Sequence, residues 1–156
     1  MRIWKLIEKT DIFLNLTVPD KNAMIRYIAT VCKDHGIVID DDKLYQGLLE
    51  REETMSTGIG QGIAIPHTSN PEAARPALFV MHLARPIDFS AIDGKPVDIV
   101  LSIVVPEDQM DLHLQILARL SRLCTRPEFL NAIRNAESQA SLHEIIKDME
   151  EATANY

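Results

Sequence analysis

The chain is 156 residues long, enough for one domain with a continuous core and short for two. Hydrophobic residues at 46% and charged residues at 25% are values of a soluble globular protein, with no repeat or low-complexity segment. The 16 basic and 23 acidic residues leave a formal charge of −7, which argues against nonspecific nucleic-acid binding and against an anionic membrane surface, since both reward basic patches.

The opening "MRIWKLIEKTDIF" has neither the apolar core nor the small-residue cleavage site of a secretory leader. No segment approaches the ~20 apolar residues of a membrane span. A cytoplasmic protein without membrane insertion is expected. Cys32 and Cys124 form no C-x-x-C pair and read as buried free thiols of a reducing compartment.

Residues 2 to 8 fit a short opening helix or an N-terminal arm. "DIFLNL" (11–16) alternates apolar and polar residues and predicts a first strand. In "PDKNAMIRYIATVCKDHG", Ala23, Ile25, Ile28, Val31 and Cys32 share one helix face, with Asp20 as N-cap and Gly36 as stop. A second helix over about 40 to 52 carries Leu44, Leu48 and Leu49 and ends in "EREE". "GIGQG" follows and leads into "IAIPH", which is β-branched and extended up to the proline. "ALFVMHL" (77–83) and "VDIVLSIVVP" (97–106) are apolar runs bounded by prolines and charges, the pattern of buried strands. "DQMDLHLQILARLSRLC" places Leu112, Ile116, Leu117, Leu120 and Leu123 on one side of a helix, Pro127 opens a short helix, and "SQASLHEIIKDMEE" makes a last one.

The predicted order is β-α-α-β-β-β-α-α-α. A sheet of that size needs cover on both faces, so the expected fold is a three-layer α/β/α sandwich around a central mixed sheet. Two later strands follow one another without a helix between them, so some pairs should be antiparallel. Residues 1–150 form the single domain, and 151–156 are expected as a frayed tail.

Three glycines, Gly58, Gly60 and Gly62, fall inside five residues just ahead of His67. They match neither G-x-G-x-x-G before a helix nor a P-loop, which needs G-K-[ST]. Two readings remain open: a tight bend, or bare backbone that admits a close approach by a phosphoryl group or a partner's histidine. Pro66 stiffens the segment and holds His67 at an edge, and a neutral imidazole is a good nucleophile near pH 7. His113 lies in the first turn of the helix after "VVPEDQMD", where the helix end favours an anion. It reads either as a satisfied structural histidine or as a donor to a transferred phosphoryl group. His82 reads as a residue within a strand, and His35 and His143 as residues of helix ends or surfaces, none with a chemical task. A zinc site from His67, His82 and His113, or a metal site from His67 and His113, lacks H-E-x-x-H or a cysteine pair in support, and G-x-S-x-G is absent too. No metal and no cofactor is implied.

"STGIGQGIAIPH", followed by "RPIDFSAIDGKPVDIVLSIVVPEDQMDLHLQIL", resembles the enzyme IIA domains of the fructose–mannitol type (type 2) of the bacterial phosphotransferase system, and most nearly their stand-alone nitrogen-regulatory branch. The resemblance extends from about Leu6 to Met149. It implies that His67 accepts a phosphoryl group from phospho-HPr as a tele-phosphohistidine, that His113 stabilises it, and that Arg51 orients the phosphate. A guanidinium closing a helix just before the glycine loop suits that last task. The acceptor would be a IIB domain in sugar transport or target proteins in regulation. A chain without its own IIB, HPr or membrane domain favours regulation, and a monomer or weak dimer is expected. One departure stands out: Thr68 and Ser69 follow the histidine where relatives commonly carry glycine and a basic residue, so the donor-facing rim is expected to differ.

Overall fold

A computed structural model describes residues 1–153. Short 3-10 turns at Ile3–Leu6 and Lys9–Asp11 lead into strand β1, Ile12–Leu16. Helices α1, Lys21–Asp34, and α2, Asp41–Thr54, follow. Each starts where an aspartate caps it: Asp20 accepts the Ala23 N–H at 2.8 Å and Asp40 that of Lys43 at 3.1 Å. Then come β2, Gly58–Gly60, β3, Ile63–Ala64, β4, His67–Asn70, β5, Ala77–Ile87, and β6, Val97–Pro106. Helices α3, Met110–Cys124, α4, Pro127–Arg134, and α5, Gln139–Thr153, close the chain.

The strands form one six-stranded sheet in the order β1-β5-β6-β3-β2, with β4 beside β6 beyond β3. β1 runs parallel to β5, β5 antiparallel to β6, and β3 and β4 parallel to β6. The sheet is therefore mixed; one antiparallel pair, β5 with β6, falls where the two long strands follow each other without a helix, and β2 with β3 is the other. The pleat sorts the core into two layers. Phe79, Met81, Val100 and Val104 pack on Met24, Ile25, Ile28, Leu44 and Leu48 of α1 and α2. The alternate residues Leu78, Val80, Ile99, Leu101 and Ile103 pack on Ile116, Leu120, Phe129, Ile133 and Leu142 of α3 to α5. The expected three-layer α/β/α sandwich is what the chain adopts. The order is finer than expected, because the glycine segment is itself a strand, β2, hairpinned onto β3, and a further strand, β4, starts at His67.

The N-terminal arm is fastened rather than loose. The buried Glu150 carboxylate of α5 accepts the N–H groups of Ile3 and Trp4 at 2.8 and 2.9 Å, and the Trp4 indole donates to Glu151 at 2.8 Å. α5 thus continues through Thr153, three residues into the segment expected as a tail; the rest of that segment, 154–156, lies outside the described residues.

Candidate functional site

β3 and β4 lie on the same side of β6 in one register, from Ile63 opposite Ile99 to His67 opposite Ile103. They are in effect one strand interrupted at Ile65–Pro66, where the proline has no N–H to give the ladder. The Pro66 carbonyl still accepts the Ile103 N–H at 3.0 Å, which anchors the residue just before His67. His67 is half-buried. Its Nδ1 lies 2.7 Å from the Ile65 carbonyl oxygen, an acceptor only, so Nδ1 carries the proton and donates. The lone pair is left on Nε2.

His113 arrives from the other layer, in the first turn of α3, its own N–H donating to the Gln109 carbonyl at 3.1 Å. The two imidazoles meet edge to face, with centroids 5.3 Å apart and planes 74° apart. His113 is 7% exposed, and neither ring nitrogen has a hydrogen-bond partner among the described residues. Burial is the main reason that the pKa of each histidine lies below the ordinary range. The Arg51 charge pushes both further down, His67 adds to the effect on His113, and the Ile65 bond and Glu52 oppose it at His67. Both rings are accordingly neutral near pH 7.

Arg51 sits in the last turn of α2, where Nη1 donates to the Met55 carbonyl at 2.9 Å. The structure thus joins His67 and His113 directly and sets the guanidinium within electrostatic reach of both, while its recorded bond is to backbone. Thr68 and Ser69 continue β4. The Thr68 hydroxyl donates to the Ser69 carbonyl at 3.2 Å and faces Gly47 of α2, whose added Cβ would lie 3.7 Å away.

The glycines serve the protein's own packing. A Cβ on Gly58 would stand 2.8 Å from the Ala91 backbone. Gly62 has φ +79°, and its Cβ would meet Arg134 Nη2 and Asp98 Oδ1 at 2.6 Å. The close approach expected at these residues exists, but the 88–94 loop and the Arg134–Asp98 pair make it. The Gly62 turn adjoins Asp98, at the opposite end of β6 from the strand pair of His67 with Ile103.

The remaining histidines have other neighbours. His35 Nδ1 lies 3.0 Å from the buried Asp11 carboxylate, and His143 Nε2 lies 2.7 Å from the Ile7 carbonyl. His82 stands by Asp98 at 3.6 Å, opposite Ile99, so it does not converge with His67 and His113 on a metal. Among the described residues, the cluster with metal-ligand spacing is Asp40, Asp41 and Asp42 at the start of α2, apart from either histidine.

Sequence reasoning missed Glu52. It reads as one more solvated charge in "EREE", yet it is 8% exposed and bonded to Thr57 and Lys21. Its neighbours come from 31 positions before and five after it, so no local pattern marks it.

The family model described as "Phosphoenolpyruvate-dependent sugar phosphotransferase system, EIIA 2" matches residues 5–149. The chain belongs to this family. As an EIIA 2 protein it is a phosphoryl carrier of the phosphotransferase system. A nitrogen regulatory protein of Pseudomonas aeruginosa is 29% identical over 150 residues, 96% of this chain and 97% of that protein. A fructose-specific EIIABC component of Bacillus subtilis is 34% identical over 94% of this chain, which spans 23% of the larger protein. Among solved structures, the nitrogen regulatory protein IIA-Ntr of Neisseria meningitidis superposes with a TM-score of 0.86 at 24% identity, covering 92% of this chain and 98% of that one. The Escherichia coli mannitol IIA, solved in complex with phosphorylated mannitol IIB, gives 0.78 at 17% identity over 91% and 97%. The EIIA 2 fold is thus shared well beyond the range of close sequence identity.

Proposed function

We propose that this EIIA 2 protein accepts a phosphoryl group from phospho-HPr on Nε2 of His67 and acts as a regulatory carrier of the nitrogen type. The observation that carries the reading is the Nδ1 bond to the Ile65 carbonyl, which leaves the Nε2 lone pair on a neutral ring beside His113. Nε2 attacks the phosphorus of the donor's phosphohistidine. The new N–P bond forms as the donor's N–P bond breaks, and the electron pair of the broken bond returns to the donor imidazole. Positive charge then spread over the His67 ring is met by the Ile65 carbonyl at Nδ1. His113, with no partner for its ring nitrogens among the described residues, is placed to donate to a phosphoryl oxygen. Arg51 supplies positive charge and a fork that suits two phosphate oxygens. The catalytic contribution is positioning and charge stabilisation.

A second reading, a sugar-transport subunit that passes the group to a fructose- or mannitol-type IIB domain, is favoured by the fructose-specific relative of higher identity. The regulatory reading is favoured by the nitrogen regulatory relative, matched over 96% of this chain and 97% of that protein. Incubation with phosphoenolpyruvate, enzyme I and HPr is expected to add one acid-labile, base-stable phosphoryl group. Mass spectrometry placing it on any residue but His67 refutes the assignment. Transfer from the loaded protein to a purified fructose-type IIB domain separates the two readings.

A further inference from the structure

We propose that Glu52 is a positioning residue for His67, acting through an unbroken series of hydrogen bonds that passes along Thr57 and Ile65. This rests on the reading of His67 Nε2 as the phosphoryl acceptor. The series begins at a carboxylate whose side chain is 4% exposed and whose two oxygens are both engaged. Oε2 takes the Thr57 N–H at 3.1 Å and the Lys21 ammonium at 2.9 Å, and Oε1 takes the Thr57 hydroxyl. The Thr57 carbonyl accepts the Ile65 N–H at 3.0 Å, and the Ile65 carbonyl accepts the His67 Nδ1–H at 2.7 Å.

Each link has a reason to matter. Pro66 cannot donate, so the bend at Ile65–Pro66 relies on two anchors among the described residues, from the Ile103 N–H to Pro66 and from the Ile65 N–H to Thr57. The second anchor is only as firm as Thr57, which lies outside regular structure between α2 and β2. Glu52 is what holds Thr57 there, by both its amide and its hydroxyl. A carboxylate in the last turn of a helix opposes the helix dipole, and burying it adds desolvation, so its place is explained by the groups it gathers and not by the helix. Lys21 ties the same carboxylate to α1 and donates also to the Phe89 carbonyl at 3.2 Å, so the hub is braced from outside α2. The charge acts on the ring directly as well, against Arg51 and in favour of the cationic character that the ring gains when phosphorylated.

The test uses Glu52→Gln, which keeps shape but loses charge, and Thr57→Val beside Thr57→Ser, which differ in the hydroxyl. Nitrogen-15 NMR of the unphosphorylated protein reads the His67 tautomer without any transfer reaction. The wild type and Thr57→Ser should show Nδ1–H, while Glu52→Gln and Thr57→Val should show a mixture with Nε2–H. Single-turnover acceptance from phospho-HPr should fall in those two variants, by up to about 100-fold if the ring is displaced by an ångström. Wild-type tautomer and rate in folded Glu52→Gln overturn the proposal. If that variant does not fold, equal behaviour of Thr57→Val and Thr57→Ser does so. The wild type alone also tests it: an Nε2–H tautomer, or an Ile65 amide exchanging as fast as an exposed loop amide, is incompatible with the series. A phosphoryl label on another residue, with the His67 tautomer still responding to Glu52, would refute the acceptor reading and leave the positioning intact.

Discussion

The His113 ring stands edge-on to the His67 ring with its centroid 5.3 Å away, and it holds that place without a hydrogen bond of its own among the described residues. A buried polar ring without partners costs stability, whereas an apolar side chain of similar size there is nearly neutral or stabilising. His113→Leu is therefore expected to leave the melting temperature unchanged or raise it, while slowing phosphoryl transfer. Loss of one charge-stabilising donor is worth about 2–4 kcal/mol where it acts on the transition state. Thermal melts and single-turnover rates on the same preparation check both halves, and a wild-type rate would make His113 purely structural.

Arg51 offers a test of geometry against charge. If the guanidinium clamps two phosphate oxygens, Arg51→Lys is impaired despite keeping the charge, because an ammonium presents a single point of positive charge. If it only neutralises, lysine serves nearly as well and Arg51→Ala alone fails. We expect the first outcome, read as the rate of His67 phosphorylation; an unaltered Arg51→Ala would remove this residue from the site.

Acid should destabilise the protein through the two histidines. Both have folded-state values below the ordinary 6.5, chiefly through burial, and both return to that value on unfolding. Between the two values the unfolded chain binds more protons, so stability rises with pH across that window. Their contribution is complete above the unfolded value and is lost as pH falls through the lowered folded ones. The melting temperature should therefore drop below roughly pH 6.5, and His113→Leu should shallow that drop. Melts across a pH series, wild type against variant, measure the difference.

Gly62→Ala should damage the fold and spare the chemistry. The residue has φ +79°, and its Cβ would press on the Arg134–Asp98 pair at 2.6 Å. Strain of this kind costs about 1–3 kcal/mol. Denaturant midpoints should show that loss, while the phosphorylation rate per folded molecule stays at the wild-type value. A selective loss of rate would instead return the glycine turn to the site.

Much of this was legible wherever a local signal carried it. Asp20 announces its helix because capping is a contact three residues long, whereas the Asp40 cap of α2 emerged only in the structure. Val97–Pro106 was readable to the residue, since an apolar run between a proline and an acidic pair has no other home than a buried strand. His67 stood out through Pro66. The glycine segment was less clear: a strand as short as Gly58–Gly60 has no period to show, and what fills the space beside it comes from Ala91 and Arg134. Arg51 became a candidate only through family resemblance, as the role proposed for it depends on where α2 ends in space. Glu52 was invisible for a stricter reason, since Lys21, Thr57 and Phe89 meet around it only after the chain has folded.

The shared register of β3 and β4 along β6 has a consequence for the direction of traffic. A nucleophile on a loose loop can swing toward one visitor and away from the next, which makes arrival and departure different events. His67 is mounted on the sheet, and its Nδ1 proton is held from within the chain, so in the proposed transfer the same ring orientation serves loading and unloading alike. For the proposed carrier, nothing in this mounting ratchets the phosphoryl group forward. The phosphorylated fraction then follows the ratio of charged to spent donor, as the needle of a gauge follows pressure.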